Sequence, residues 1–522
     1  MKINLLLFIF LWVAIPSIAQ ESNNYSISLY DEFKTGGREI PEQYVGSNEN
    51  GHYFLYSKGK FGNGLSSLVK FNNDFQPTME EIQLTHFDEE EGVSEVSLGV
   101  IELGDKLLNI TSKSTKTYRK YFAKTIDLNG FRIASEKEIL NLSIEGVNMK
   151  RSYVSFVLAA DSSAVGLFYT IPTKPKEFRK YGLIVFDNDF NKIDAFTYQF
   201  PFSKNEFVVM GGTLLNKKEM ILLTADLSKV PLSPNSKKVP DYGYKIVQLN
   251  QGNSKTIGEV PNDNKWLNSL ALRIDGSIIK LVGLYSNVGR YDAHGTFFHQ
   301  IDQSNPGETI HQLEPFDQAL LDRHAEIPNL ENLSKKKIRK NSELAYYIPK
   351  SVLTYDDGAI LMIAEEIHTF SQYITTYYFQ NLIAIHFDKN GNRLWTKMIK
   401  KDNSKDNTWI YSSYLVLKDS TDFHLIYNGN RKNLQKNDLK RFKAFNNEED
   451  ESVVIATITK EGDVSQKVVT NNWQTQGFRV RPKLSSKFND NEVLLFSQKP
   501  SNVKNQRFIL LNLNGKKSLT TD

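Results

Sequence analysis

One short pattern recurs along the chain and limits what it can fold into. A run of strand-forming residues ends on an apolar side chain, then comes Asp or Asn in most copies, then one to three turn residues, often with Gly, before another strand. The copies are Phe71-Asn72-Asn73-Asp74, Ile126-Asp127-Leu128-Asn129-Gly130, Phe186-Asp187-Asn188-Asp189, Leu249-Asn250-Gln251-Gly252, Ile301-Asp302-Gln303, Phe387-Asp388-Lys389-Asn390-Gly391, Ile458-Thr459-Lys460-Glu461-Gly462 and Leu511-Asn512-Leu513-Asn514-Gly515. They lie about 50 to 85 residues apart, a period that belongs to stacked repeats rather than to independent domains.

Each copy sits in a frame of four short strands. Around the third copy these are Tyr153 to Ala159, Ala164 to Ile171, Tyr181 to Phe186 and Ile193 to Phe200, with Asp161-Ser162-Ser163 turning the first pair. Asp275-Gly276 and Asp356-Asp357-Gly358 supply the same tight turn in later copies, because Asp and Gly accept the backbone angles such hairpins need. Four antiparallel strands per repeat make a propeller blade. The fold class expected is therefore all-β: a β-propeller of about eight four-stranded blades, with seven as the alternative, occupying residues 20–522. Two separate all-β domains would need a linker, and no Pro/Ser-rich one is visible. The last blade has Arg479 to Lys487, Glu492 to Gln498 and Arg507 to Leu511 but little beyond Lys516 to Thr521 for a fourth strand. The alternating Tyr25, Ile27 and Leu29 are placed to supply it, which would close the ring and remove its open edge.

Loop length separates the two faces. Connections from strand one to two and from three to four are short, and both emerge on one face. Long connections fall on the other: Asp226 to Tyr242, Ser286 to His294, Glu366 to Tyr377, Asn428 to Glu451, and Glu314 to Tyr346 between blades five and six. Long loops on a rigid scaffold are where binding is usually built. The segment about 314–346 is also the one short helical insertion, with Asp317 to Ala325 and Leu330 to Arg339 as its helices. Its basic run Lys335 to Lys340 reads either as a docking surface for an acidic partner or as a solvated helix face.

The chain of 522 residues contains no Cys, which removes disulfides, thiol nucleophiles, Cys-ligated zinc and a lipid-bearing cysteine. A balance of 64 basic against 60 acidic residues gives no broad positive field for nucleic acid. No GxSxG, HExxH, Walker or GxGxxG motif occurs. His294 and His299 stand five apart, on opposite faces of a strand, against joint ligation of a metal. Asp187 to Asn191 and Asp388 to Asn392 resemble the start of a calcium loop but place Tyr198 and Ile399 where its closing Glu belongs, so they read as turns. Asp88 to Glu91 reads as a solvated acidic run. No catalytic residue, metal or cofactor is assigned. Glu366 and His368 share strand parity at the start of a long loop and are the best local candidates for a metal or acid–base role. With them, Tyr285, Arg290, Tyr291, Tyr373, Tyr377, Trp409 and Trp473 are the contact candidates on the long-loop face.

Residues 1–19 have one Lys, an apolar run from Leu5 to Ile15, and Ser17-Ile18-Ala19, the form of a signal peptide cleaved before Gln20. No later apolar run is long enough to span a bilayer. The chain is expected to be exported, periplasmic or extracellular, and not a lipoprotein.

The segment Ile383-Ala384-Ile385-His386-Phe387-Asp388-Lys389-Asn390-Gly391-Asn392-Arg393-Leu394-Trp395 resembles the repeat of quinoprotein-type (PQQ-like) propellers, in which Ala, Asp, Gly and Trp recur and the Trp docks between blades. Ala123, Asp127 and Gly130, and Ala456 and Gly462, match in part without the Trp. That resemblance implies either a quinone-dependent dehydrogenase or a non-catalytic scaffold of the bacterial envelope, and the absence of vicinal cysteines favours the scaffold. The function expected is an exported, non-catalytic propeller binding a protein or polysaccharide through its long-loop face. The alternative is a glycan hydrolase or lyase with two carboxylates at the channel mouth.

Overall fold

The computed structural model describes residues 25–513 except 36–38, 59–64, 104–105, 146–153, 175–176, 204–206, 228–242, 290–291, 306, 326–342, 372–374, 402, 407–409, 420, 435–449 and 472–473. Residues 1–19, the stretch 330–339 and Lys516 to Thr521 therefore lie outside the described residues. The described strands form eight antiparallel sheets arranged as blades, at 39–83, 93–143, 154–203, 207–259, 266–315, 347–399, 415–471 and 479–512, and one two-stranded ladder of Asp292–Ala293 with Leu344–Ala345. The recurrent Asp/Asn pattern is the turn between third and fourth strands in blades one to seven and the end of the third strand in blade eight. In blade six Asp388 accepts from the backbone N–H of Asn390 (2.8 Å) and Asn392 (2.9 Å), and Asp187 holds Asn191 in the same way (2.7 Å). These carboxylates are occupied in folding their own hairpins.

Second strands are buried almost throughout, as in Gly51–Lys58, Glu219–Asp226 and Asp422–Asn430. A neighbour covers each face of a blade, so its central strands read as continuous apolar runs rather than alternating ones. Eight hydrophobic clusters result, one for every pair of adjacent blades. The pair formed by blades eight and one is among them: Leu484, Leu494, Phe496 and Phe508 pack on Phe54, Tyr56, Phe71 and Phe75. The ring is closed and has eight blades.

Closure is made by the N-terminal strand. Ser26–Leu29 pairs antiparallel with Asn502–Asn512, placing Ile27 opposite Leu511 and Leu29 opposite Ile509. Phe33 follows and enters the core between blades eight and one, its ring 5.6 Å from Phe508 and 5.3 Å from Phe71. Neighbouring blades also dock through turn glycines. Trp395, on the outer strand of blade six, donates from Nε1 to the carbonyl of Lys460 in the blade-seven turn (3.1 Å). It lies over Gly462, whose φ of +92° and whose missing Cβ (2.8 Å from the indole) leave the space it fills.

Two expectations are corrected. The segment Glu366 to Tyr377 is not a loop, because strands Ile360–Ser371 and Thr375–Phe387 run on as one extended hairpin. The inner strand of blade eight is not continuous either. It breaks into Arg479–Val480, a 3-10 turn Pro482–Leu484 and Ser486–Asn489, since Pro482 cannot donate to a ladder. The helix Gln318–Ala325 forms, and its Leu321 is buried in the core of blades five and six.

Candidate binding site at the channel mouth

The innermost strand of a blade has a ladder partner on one side and the central channel on the other. In five blades this strand carries a β-bulge, and in blade eight it breaks, at the same height towards the long-loop face. Glu42 is the extra residue between Pro41 (opposite Tyr56) and Gln43 (opposite Leu55), and Leu98 lies likewise between Ser97 and Gly99. Met210 is the extra residue between Val209 and Gly211, Ser269 and Leu270 between Asn268 and Ala271, and Lys350 between Pro349 and Ser351. In blade eight the whole stretch 481–485 stands between pairs Val480–Ser497 and Ser486–Leu494, with Lys483 at its centre. A bulge re-aims the side chain it releases from the pleat. Here Glu42, Leu98, Met210, Ser269, Lys350 and Lys483 are all exposed, while Val209, Asn268, Pro482 and Leu484 beside them are buried.

The ring has two unlike arcs. Blades six, eight and one contribute Lys350, Lys483 and Glu42. Blades two and four contribute Leu98 (47% exposed) and Met210 (50%), with Val96 (44%) on the same inner strand as Leu98.

Behind the charged arc is a buried polar layer. Lys401 and Glu365, both fully buried, form an ion pair of 2.7 Å. Lys401 also donates to the carbonyl of Phe379 (3.2 Å), and Ser413 donates to the other Glu365 oxygen (2.9 Å). Tyr414 and Ser351 share a hydrogen bond of 3.0 Å. Burial lowers the pKa of Lys483, with the Lys350 charge acting in the same direction and Glu365 opposing. Arg481 is buried, donates from Nη1 to Gln498 (2.9 Å) and has no partner for Nε among the described residues. Burial pushes Arg481 down to about 10. Burial also raises Glu42, against a hydrogen bond from Ser57 and the charge of Arg481.

The residues singled out from sequence fall elsewhere. Tyr285 is buried in the core of blades four and five, so its ring is not offered to a ligand. Glu366 and His368 are buried within the blade-six strand rather than exposed at a loop. Glu366 receives long hydrogen bonds from Tyr347 (3.5 Å) and Asn381 (3.4 Å). His368 stacks on Tyr378 at 4.5 Å, and burial pushes its pKa down to about 4, leaving it neutral and walled in. The backbone of Tyr377 pairs with Thr369 and Asp406. Arg290, Tyr291, Tyr373, Trp409 and Trp473 lie outside the described residues. Asp88 and Glu91 of the acidic run both pair with Lys113, at 2.5 and 2.6 Å. The ring itself was missed, although three of its members follow proline, in Pro41-Glu42, Pro349-Lys350 and Pro482-Lys483. A proline inside an inner strand marks a bulge or an unpaired edge.

No protein-family model matches the sequence, and none of the curated proteins does. Among solved structures, the WD40 domain of SCAP from fission yeast aligns with 94% of this chain and 99% of that one, at 8% identity and a TM-score of 0.39. The β-propeller domain of Nup133 from Vanderwaltozyma polyspora aligns with 79% and 99%, at 9% identity and a TM-score of 0.34. An apocarotenoid oxygenase from Synechocystis aligns with 85% and 92%, at 11% identity and a TM-score of 0.37. Such distant likenesses concern the fold alone and carry no argument about activity. The molecule is an eight-bladed β-propeller, a class used for partner binding and for catalysis alike. Among the described residues no helix is long and apolar enough to cross a membrane.

Proposed function

We propose that this chain is an exported binding module that holds a protein or polysaccharide partner on its long-loop face, around the channel mouth, without catalysing a reaction on it. The ring of bulged residues carries the reading. Six inner strands give up a ladder position at one height, and each turns a side chain into solvent, an arrangement that packing alone does not require. Export rests on the signal-peptide pattern of residues 1–19, and kinship with the scaffold type of quinoprotein-like propeller rests on the segment ending at Trp395. Against hydrolysis by paired carboxylates stands the charge of the ring. Its carboxylate among the described residues is Glu42, which faces Arg481, while the nearby Glu365 is already bound to Lys401.

The test is capture by the chain beginning at Gln20 from a panel of purified envelope polysaccharides and proteins. The variant K350E/K483E is expected to weaken capture of the bound partner roughly tenfold or more, with Lys418→Glu on the short-loop face neutral. Equal loss from Lys418→Glu, or release of shortened glycan during incubation, would overturn the reading.

A further inference from the structure

Blade eight buries a cation without an anion beside it. Arg507, on the third strand, is 8% exposed and holds its guanidinium 4.7 Å from the Phe478 ring. Its Nη1 donates to the neutral Oε1 of Gln476 (3.0 Å), while the buried Nε has no partner and no carboxylate pairs with the group among the described residues. An unpaired buried charge is costly to keep. The edge left over is the side-on one, Nε with Nη2, whose two parallel N–H groups match the two oxygens of a carboxylate.

A second cation stands on the same ring. Lys499 Nζ lies 4.9 Å from the centre of Phe478, and its side chain is 29% exposed. Lys499 ends the second strand, and Phe478 belongs to the connection between blades seven and eight, so both sit where chain connections emerge on the long-loop face. Glu32 pairs with Lys499 at 3.2 Å. The cluster therefore has one positive charge in excess, that of Arg507, which suits a monoanionic carboxylate better than a phosphate group of about −1.5 to −2. Burial decides what can present that carboxylate. The acid of a uronic sugar is fixed directly to a broad ring, whereas a Glu or Asp side chain brings its carboxylate on a slender stem that a covered guanidinium can admit.

We propose that an acidic polypeptide segment docks on the seam between blades seven and eight and sets one Glu or Asp carboxylate side-on against Arg507, with Lys499 at the entrance. This rests on the binding reading of the long-loop face and selects, from its two partner classes, the protein.

Calorimetric titration of the chain from Gln20 with short poly-glutamate and poly-glutamine peptides, and with an oligogalacturonate of matched charge, separates the contributions. The glutamate peptide is expected to bind at least about tenfold more tightly than either of the others. Arg507→Met keeps an apolar stem against Phe478 and is expected to weaken that peptide about tenfold or more without lowering the thermal midpoint, because it removes an unpaired buried charge. Arg507→Lys is not expected to restore binding, since an ammonium has no two-point edge, and it carries the test if the methionine variant misfolds. Failure of the glutamate peptide to bind, or equal binding to the wild type and both variants, overturns the assignment. Equal binding of the oligogalacturonate overturns the choice of protein. A lowered midpoint of Arg507→Met with unchanged peptide affinity makes Arg507 a structural group and overturns the site. If the peptide does not bind but K350E/K483E still weakens partner capture, this assignment falls and the binding reading stands.

Discussion

Replacing Lys401 with methionine is expected to cost about 3–5 kcal/mol of stability, among the largest effects of any single substitution here. The ammonium and the Glu365 carboxylate are both fully buried, and their 2.7 Å contact is completed by Ser413 and the carbonyl of Phe379. Removing the cation leaves a carboxylate facing one hydroxyl, which cannot repay its desolvation. Removing both charges is a different matter, because a buried pair gains little over an apolar pair of similar volume. Urea unfolding should therefore rank K401M well below wild type and E365M/K401M close to it. A K401M protein within about 1 kcal/mol of wild type would mean that water reaches the pair.

Deleting the chain through Lys34 is expected to be at least as damaging. The outer strand of blade eight then disappears, and Phe33 leaves a core in which it touches Phe71 and Phe508. Loss of Phe33 alone is worth about 3–5 kcal/mol by analogy with large-to-small core changes. The exposed edge of Asn502–Asn512 is also an open template for another copy. Light scattering should show association or precipitation of the shortened chain, and a synthetic peptide covering Tyr25 to Lys34 should restore a monomer. A soluble monomer of unchanged stability without the peptide would show that the ring does not depend on this clasp.

The parts of this architecture that could be read from sequence are those decided locally. The third-to-fourth-strand turns of blades one to seven were visible because residues such as Asp187 and Asp388 fold their own hairpins within four residues. The closing strand was visible because Tyr25, Ile27 and Leu29 alternate. The bulges were not, since an extra residue such as Met210 is extra only once Thr224 and Leu223 have taken their partners, and that register is set across strands. Pro41, Pro349 and Pro482 were the local trace of three of them. Glu366 and His368 misled for the opposite reason. Polar residues ending an apolar run resemble a strand's exit, yet Tyr347 and Asn381 donate to Glu366 and Tyr378 covers His368, which lets the strand continue.

The absence of native cysteine makes one measurement especially clean. Single cysteines at Met210 and Leu98, and at their buried neighbours Val209 and Val100, report whether the bulges aim their residues into the channel. Alkylation by iodoacetamide under native conditions should be at least roughly tenfold faster at 210 and 98 than at 209 and 100, because access to the thiolate sets the rate. Without the bulges the pleat would carry these side chains into the blade interfaces. Slow reaction at 210 and 98, or rates matching those of their neighbours, would contradict the ring at the channel mouth and the binding function argued from it.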